Sequence, residues 1–141
     1  MQPLEPFRYS NRYEDPGVGW FTVVLDADRV LFTTVDGKGT VVGTRALVAM
    51  YDEVSAMRVD GETVDAFMDL RAFSKTPLRA QAIMGKWLIK HRHQIDRIAL
   101  VGAKPWERKI AQAVLKFARF DRAAFFETPE EAGTWLRPDR A

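Results

Sequence analysis

The residues with chemical potential gather at the ends of two apolar runs in the second half of the chain. Asp69 lies at the end of the first run, Ser74 and Thr76 follow it, and Lys104 and Trp106 follow the second. In parallel sheets, ligands sit outside the carboxyl ends of the strands. Gly102-Ala103-Lys104-Pro105-Trp106 links a strand to a helix start, where backbone N–H groups and a lysine can hold an anion. The competing reading is a tight strand-to-helix turn. Ser74 and Thr76 precede another helix start. A hydroxyl there usually caps free backbone N–H groups. The same place, flanked by Lys75 and Arg79, also suits a phosphoryl group. Asp69 either orients a ligand from its strand end or pairs with a neighbouring arginine.

Other chemistries lack their residues. His91 and His93 are the two histidines, and they sit two apart at a helix end, so they point in different directions. There is no cysteine, and Asp96 falls beyond the helix, which makes a poor metal set. His91 reads as core packing and His93 as a group placed near the negative helix end. The P-loop and dinucleotide spacings are absent, as are H-E-x-x-H and any Ser/His/Asp order. No catalytic residue, cofactor or metal is assigned, and the expectation is a protein that is not an enzyme.

The elements that must position these residues form three strand–helix units in a row. Apolar strands at Val64–Leu70, Arg97–Val101 and Ala123–Phe126 are each followed by a segment of helical period. Strands alternating with helices imply βαβ crossovers and a mainly parallel sheet. Ahead of them, Trp20–Leu25 and Val30–Val35 flank Asp26-Ala27-Asp28-Arg29, a hairpin signal. Thr40 or Thr44 caps the first helix, whose stripe is Leu47, Tyr51 and Val54. Thr76 caps the second, with Pro77 in its first turn and Ala80, Ile83, Met84, Trp87 and His91 on one face. The third starts near Pro105 with a stripe of Trp106, Ile110, Ala113, Val114 and Phe117. Thr128-Pro129-Glu130-Glu131 is a capping box opening the last helix, which ends at Leu136. The predicted organisation is an irregular arm over 1–19, a single domain over 20–136 and a tail over 137–141.

Composition sets the class. The 141 residues are 47% hydrophobic and 28% charged, ordinary for a soluble globular domain. The net charge of +2 hides an asymmetry. Residues 1–70 carry 6 Lys/Arg against 12 Asp/Glu, whereas residues 71–122 carry 13 against 3. Such a basic block attracts anions or faces an acidic segment of the same fold or of a partner. No nucleic-acid motif accompanies it, so nucleic acid is not an expected partner. No apolar run approaches the roughly 20 residues of a membrane helix. Met1–Pro6 lacks the pattern of a signal peptide, and a cytoplasmic location is expected.

The order and character of these segments resemble the SpoIIAA-like family, a relative of the STAS domains. The resemblance covers roughly Val30 to Leu136. It is carried by the Gly37–Thr40 turn, Phe67-Met68-Asp69-Leu70-Arg71, and the helix ending near His91. Ile95-Asp96-Arg97-Ile98-Ala99-Leu100-Val101-Gly102 with Trp106, and Glu131-Ala132-Gly133-Thr134-Trp135-Leu136, complete the set. The resemblance implies an α/β fold: a right-handed βα superhelix on a mostly parallel sheet of about five strands, with an N-terminal edge hairpin. It also implies a non-enzymatic regulatory or protein-interaction domain, and some relatives of similar fold bind lipids or other amphiphiles. STAS anti-anti-sigma proteins carry a phosphorylated serine in Asp-Ser-Ser-Gly. Here the stretch reads Phe73-Ser74-Lys75-Thr76-Pro77-Leu78, so only Ser74 or Thr76 stands in that place.

Two functions follow as expectations. One is a regulatory module with a protein partner. The other is a binder of a small anionic or amphiphilic molecule, in a pocket bordered by Ser74, Thr76, Lys104 and Trp106. The strands are apolar on both faces, with Ile98 and Leu100 alternating with Ala99 and Val101. Strands of this kind are covered on both sides. Either the aromatic arm or a second subunit in a homodimer would provide the second cover.

Overall fold

Consecutive right-handed crossovers dictate the architecture. The computed structural model describes residues 1–138. Three strands come first: β1 (Tyr9–Asp15), β2 (Gly19–Leu25) and β3 (Val30–Lys38). Then α1 (Val41–Ala56), β4 (Val64–Lys75), α2 (Leu78–His91), β5 (Ile95–Val101), α3 (Pro105–Phe117), β6 (Ala123–Phe126) and α4 (Pro129–Leu136) follow. A short turn of 3₁₀ helix, Arg92–Gln94, joins α2 to β5. The six strands lie in sequential order in one sheet. The β1–β2 and β2–β3 pairings are antiparallel, and β3 through β6 are parallel. With strands in this order, each right-handed crossover places its helix on the same face. Hence α1, α2 and α3 cover one side.

That side buries Phe21, Val23, Leu25, Leu31, Leu70, Ile98 and Leu100 against Leu47, Tyr51, Val54 and Leu88 from the helices. The opposite side carries the alternate residues Val30, Phe32, Phe67, Ala99 and Val101. α4 follows the last strand and has no further strand to reach, so it folds across this second face. Ala132 and Leu136 of α4 are buried there, with Met1 packed beside them. The chain therefore covers its own second face. Met1, at the start of the expected arm, packs on this face, whereas the arm's Tyr9 and Tyr13 pack on the other.

The segment expected to be an irregular arm contains β1. Its proline and glycine residues lie at the ends, leaving 7–15 uninterrupted. Tyr9 through Asp15 pair in full register with Leu25 through Gly19, and Tyr13 stacks on Phe21 at 4.9 Å. The sheet thus has six strands rather than about five, and the edge hairpin becomes a three-stranded antiparallel unit. Asp26 closes the β2–β3 turn. It is buried, and its carboxylate accepts from the N–H groups of Asp28, Val30 and Leu4 at 2.8, 2.9 and 3.1 Å. Part of the predicted tail, 139–141, lies outside the described residues. The Arg137 guanidinium pairs with Asp65 of β4 and Asp28 of the β2–β3 turn.

The helix starts match their capping residues in two cases. Thr40 Oγ1 accepts from Gly43 N at 2.9 Å and opens α1. Thr128 Oγ1 accepts from Glu131 N at 3.2 Å and opens α4. Only half of the predicted box forms there, because Glu131 Oε1 takes the Thr128 hydroxyl proton at 3.1 Å instead of the backbone N–H. The α2 start departs from expectation. β4 runs on to Lys75, paired with Lys38 of β3, so the helix begins only at Leu78 with Pro77 as its cap residue and no side-chain cap. Thr76 does not cap α2. Its carbonyl instead accepts from Gln81 Nε2 at 3.2 Å.

Candidate functional site

The carboxyl ends of β3, β4 and β5 and the N-termini of α1, α2 and α3 share one end of the molecule, as parallel strands with helical crossovers require. The predicted site residues lie along this end but do not converge. Asp69 is spent on Arg71. Its Oδ1 accepts from the Arg71 backbone N–H and Nε at 3.1 and 2.9 Å, and Oδ2 from Nη2 at 2.8 Å. Partial burial raises the Asp69 pKa, but the Arg71 hydrogen bonds and charge outweigh it and hold the carboxyl below its usual value. Ser74 is exposed near the end of β4, four residues before α2 begins at Leu78. Lys104 turns toward its own helix: its N–H and ammonium both donate to Glu107 Oε1, at 3.1 and 3.3 Å, and the ammonium also donates to Phe73 O at 3.0 Å. The donors expected to hold a free anion at this loop already serve an internal carboxylate.

Behind this end lies an apolar cavity of about 220 Å³, between the sheet and the layer of α1, α2 and α3. Of the five predicted site residues, Thr76 and Trp106 line it, whereas Asp69, Ser74 and Lys104 do not. Its walls include Met68 and Leu100 from the sheet and Leu47, Met84, Ile110 and Leu115 from the helices. The cause is the seating of α3. The predicted stripe of this helix is not buried: Glu107 is its single buried residue, while Trp106 and Phe117 are 37% and 62% exposed. α3 therefore roofs the space instead of filling it.

Protein interiors are close-packed, and voids much larger than a water molecule are few. Apolar cavities of this order stay dry and admit apolar guests.

Two polar groups at the cavity wall are already committed. The Tyr51 hydroxyl and Thr33 Oγ1 share a hydrogen bond of 2.6 Å, and burial pushes the phenol up to about 12 against the weaker opposing effect of that bond. Trp87 donates its Nε1 proton to Asp52 at 2.9 Å and stacks on His91 at 4.4 Å. His91 is buried, as its packing role required. The residue that sequence reasoning missed is Glu107. The available signal was its position, an acidic group in the first turn after Pro105, where the positive helix end favours negative charge. Among the described residues, no group of three or more His, Asp or Glu is placed to hold a metal. Among the described residues, no helix is long and apolar enough to cross a membrane.

The comparisons with known proteins fall in line with this geometry. The SpoIIAA-like family model matches residues 30–137. The fold is similar to that of an uncharacterized protein with a SpoIIAA-like fold from Shewanella loihica PV-4. The two are 17% identical with a TM-score of 0.62, over 91% of this chain and 92% of that one. It is also similar to an anti-sigma factor antagonist from Mycobacterium paratuberculosis, at 20% identity and a TM-score of 0.60, over 89% of this chain and 99% of that one. At these identities the likeness is one of fold. No curated protein matches the sequence.

Proposed function

The chain belongs to the SpoIIAA-like family, and on that premise we propose that it is a non-enzymatic regulatory domain of the cytoplasm that acts by binding a partner protein. The observation that carries this reading is the set of apolar side chains in the first turns of three adjacent helices. Val42, Leu78 and Trp106 are 69%, 79% and 37% exposed at the same end of the molecule. Exposed apolar groups framed by polar ones mark interaction surfaces. Lys38, Lys75, Arg79 and Lys104 are exposed around them, which favours a docking segment with apolar and acidic side chains. The likeness to an anti-sigma factor antagonist supports the same reading. Phosphorylation would act on this surface through Ser74, which is exposed there, or Thr76, which is half-buried.

Native mass spectrometry of the protein purified from its own host tests the proposal. The expected result is a stoichiometric complex with a different protein, lost in Leu78→Asp. Recovery as a monomer, or solely as a homodimer, would overturn it.

A second reading, the binding of a small amphiphile, is favoured by one observation, the apolar cavity beneath α3. On this reading ligand and partner share one end of the molecule, with α3 in contact with both.

A further inference from the structure

We propose that the cavity is a channel for one unbranched alkyl chain of roughly ten carbon atoms, lying across the strands beneath α1, α2 and α3. The inference rests on the amphiphile reading above and deepens it, by giving the shape and length of the apolar part.

The lining shows the shape. Residues from five consecutive strands take part, among them Tyr13 of β1, Phe21 of β2, Leu31 of β3, Met68 of β4 and Leu100 of β5. Leu47, Met84 and Leu115 line the same space from α1, α2 and α3 in turn. Neighbouring strands lie about 4.8 Å apart, so β1 and β5 are separated by about 19 Å. Two interhelical spacings of about 9 Å give nearly the same distance from α1 to α3. Gathered into a sphere, 220 Å³ would be only about 7.5 Å across, under two strand spacings. A ball of that size does not reach both ends of this lining, so the volume is drawn out across the sheet. Wall atoms at each end stand off a guest by about 4 Å. About 11 Å is left for the guest's own atoms, the length of an extended chain of roughly ten carbons at about 1.2 Å per bond.

Two further features fit a chain. Ala66 and Met68 lie in the middle of the sheet and face the helix layer, where apolar residues are ordinarily buried, yet both are only half-buried. The space above them is open. Polar groups of the wall are engaged within the protein: the Tyr51 hydroxyl with Thr33, and Gln81 Nε2 with the Thr76 carbonyl. Recognition inside the channel therefore falls to shape and apolar contact, which an unbranched chain satisfies and a wide ring does not.

The probes are n-hexanol, n-octanol, n-decanol and n-dodecanol, with cyclooctanol as a compact counterpart of octanol. Tryptophan fluorescence of the intact protein, to which Trp87 and Trp106 in the wall contribute, follows each titration. Affinity is expected to rise about fourfold per methylene from hexanol to decanol, the worth of a buried CH₂, and to level off at dodecanol. Cyclooctanol is expected to bind about tenfold more weakly than octanol, the cost of forcing a wide group between packed layers. Nuclear Overhauser contacts from opposite ends of bound decanol should reach the Leu47 and the Leu115 methyls.

Ala111→Phe fills the channel from α3 and should shorten it, so that the levelling-off moves to octanol or below. Cyclooctanol binding as tightly as octanol, or affinity that is level from hexanol onward, would overturn the channel while leaving the amphiphile reading intact. A rise that continues unchanged through dodecanol would overturn its length. An unchanged levelling-off in Ala111→Phe would overturn its extent beneath α3. No binding by any probe would overturn both readings. The wild-type series needs no variant, so a poorly folding substitution does not remove the test.

Discussion

The Lys104 backbone N–H donates to Glu107 Oε1 at 3.1 Å, and the ammonium of the same lysine reaches the same oxygen at 3.3 Å. One carboxylate thus takes the place at the α3 start where an external anion would otherwise be welcome. A helix N-terminus attracts anions through its free N–H groups and the aligned peptide dipoles. Here those features are satisfied from within the helix.

Inorganic phosphate is consequently expected not to bind the Gly102–Trp106 loop. Amide shifts followed by NMR during a phosphate titration should leave Gly102, Ala103 and Lys104 unmoved at millimolar concentration. Saturable shifts confined to these three residues would show that phosphate displaces Glu107.

Gly102 is constrained by its neighbour Arg71 on β4. Its φ is +74°, and a Cβ built there would lie 2.1 Å from Arg71 Cγ and 3.1 Å from Arg71 Cα. Gly102→Ala is expected to destabilise the fold by about 1–3 kcal/mol, combining backbone strain with displacement of Arg71. Gly17 has a similar φ of +78° but nothing within 4 Å of such a Cβ. Gly17→Ala should therefore cost only the conformational part, about 1 kcal/mol. Urea unfolding of both variants checks the difference. Equal losses would remove the steric contribution.

Tyr51 ties stability to alkaline pH. Its phenol is raised by burial from an ordinary 10.0 to about 12, with the Thr33 hydrogen bond working in the opposite direction. A group whose folded pKa is raised contributes stability that is full below its unfolded pKa and lost as pH rises through the folded one. The contribution should therefore hold to about pH 10 and decline toward pH 12. The Tyr51 phenolate absorbance should rise only above about pH 10, together with the loss of the native circular dichroism signal. Ionisation of Tyr51 near pH 10 with the fold intact would contradict this.

Local patterns in the sequence determined a good deal. Apolar runs at Val64–Leu70, Arg97–Val101 and Ala123–Phe126 became β4, β5 and β6 because buried parallel strands need apolar side chains on both faces. Thr40 and Thr128 marked helix starts because capping is a contact within four residues. The pairing of Asp69 with Arg71 was legible for the same reason. Tertiary structure decided what depends on distant chain. β1 became a strand because β2 offered an open edge to Tyr9–Asp15, and β4 outran its apolar run because Lys38 of β3 was there to pair with Lys75. That extension carried Ser74 into the sheet and left α2 without a hydroxyl cap. Residue type placed the apolar stripe on α3, but the gap beneath it reflects how far a helix can approach a sheet already packed by its neighbours. Sequence periodicity records the direction in which a side chain points; only the packed fold determines whether anything fills the space it points into.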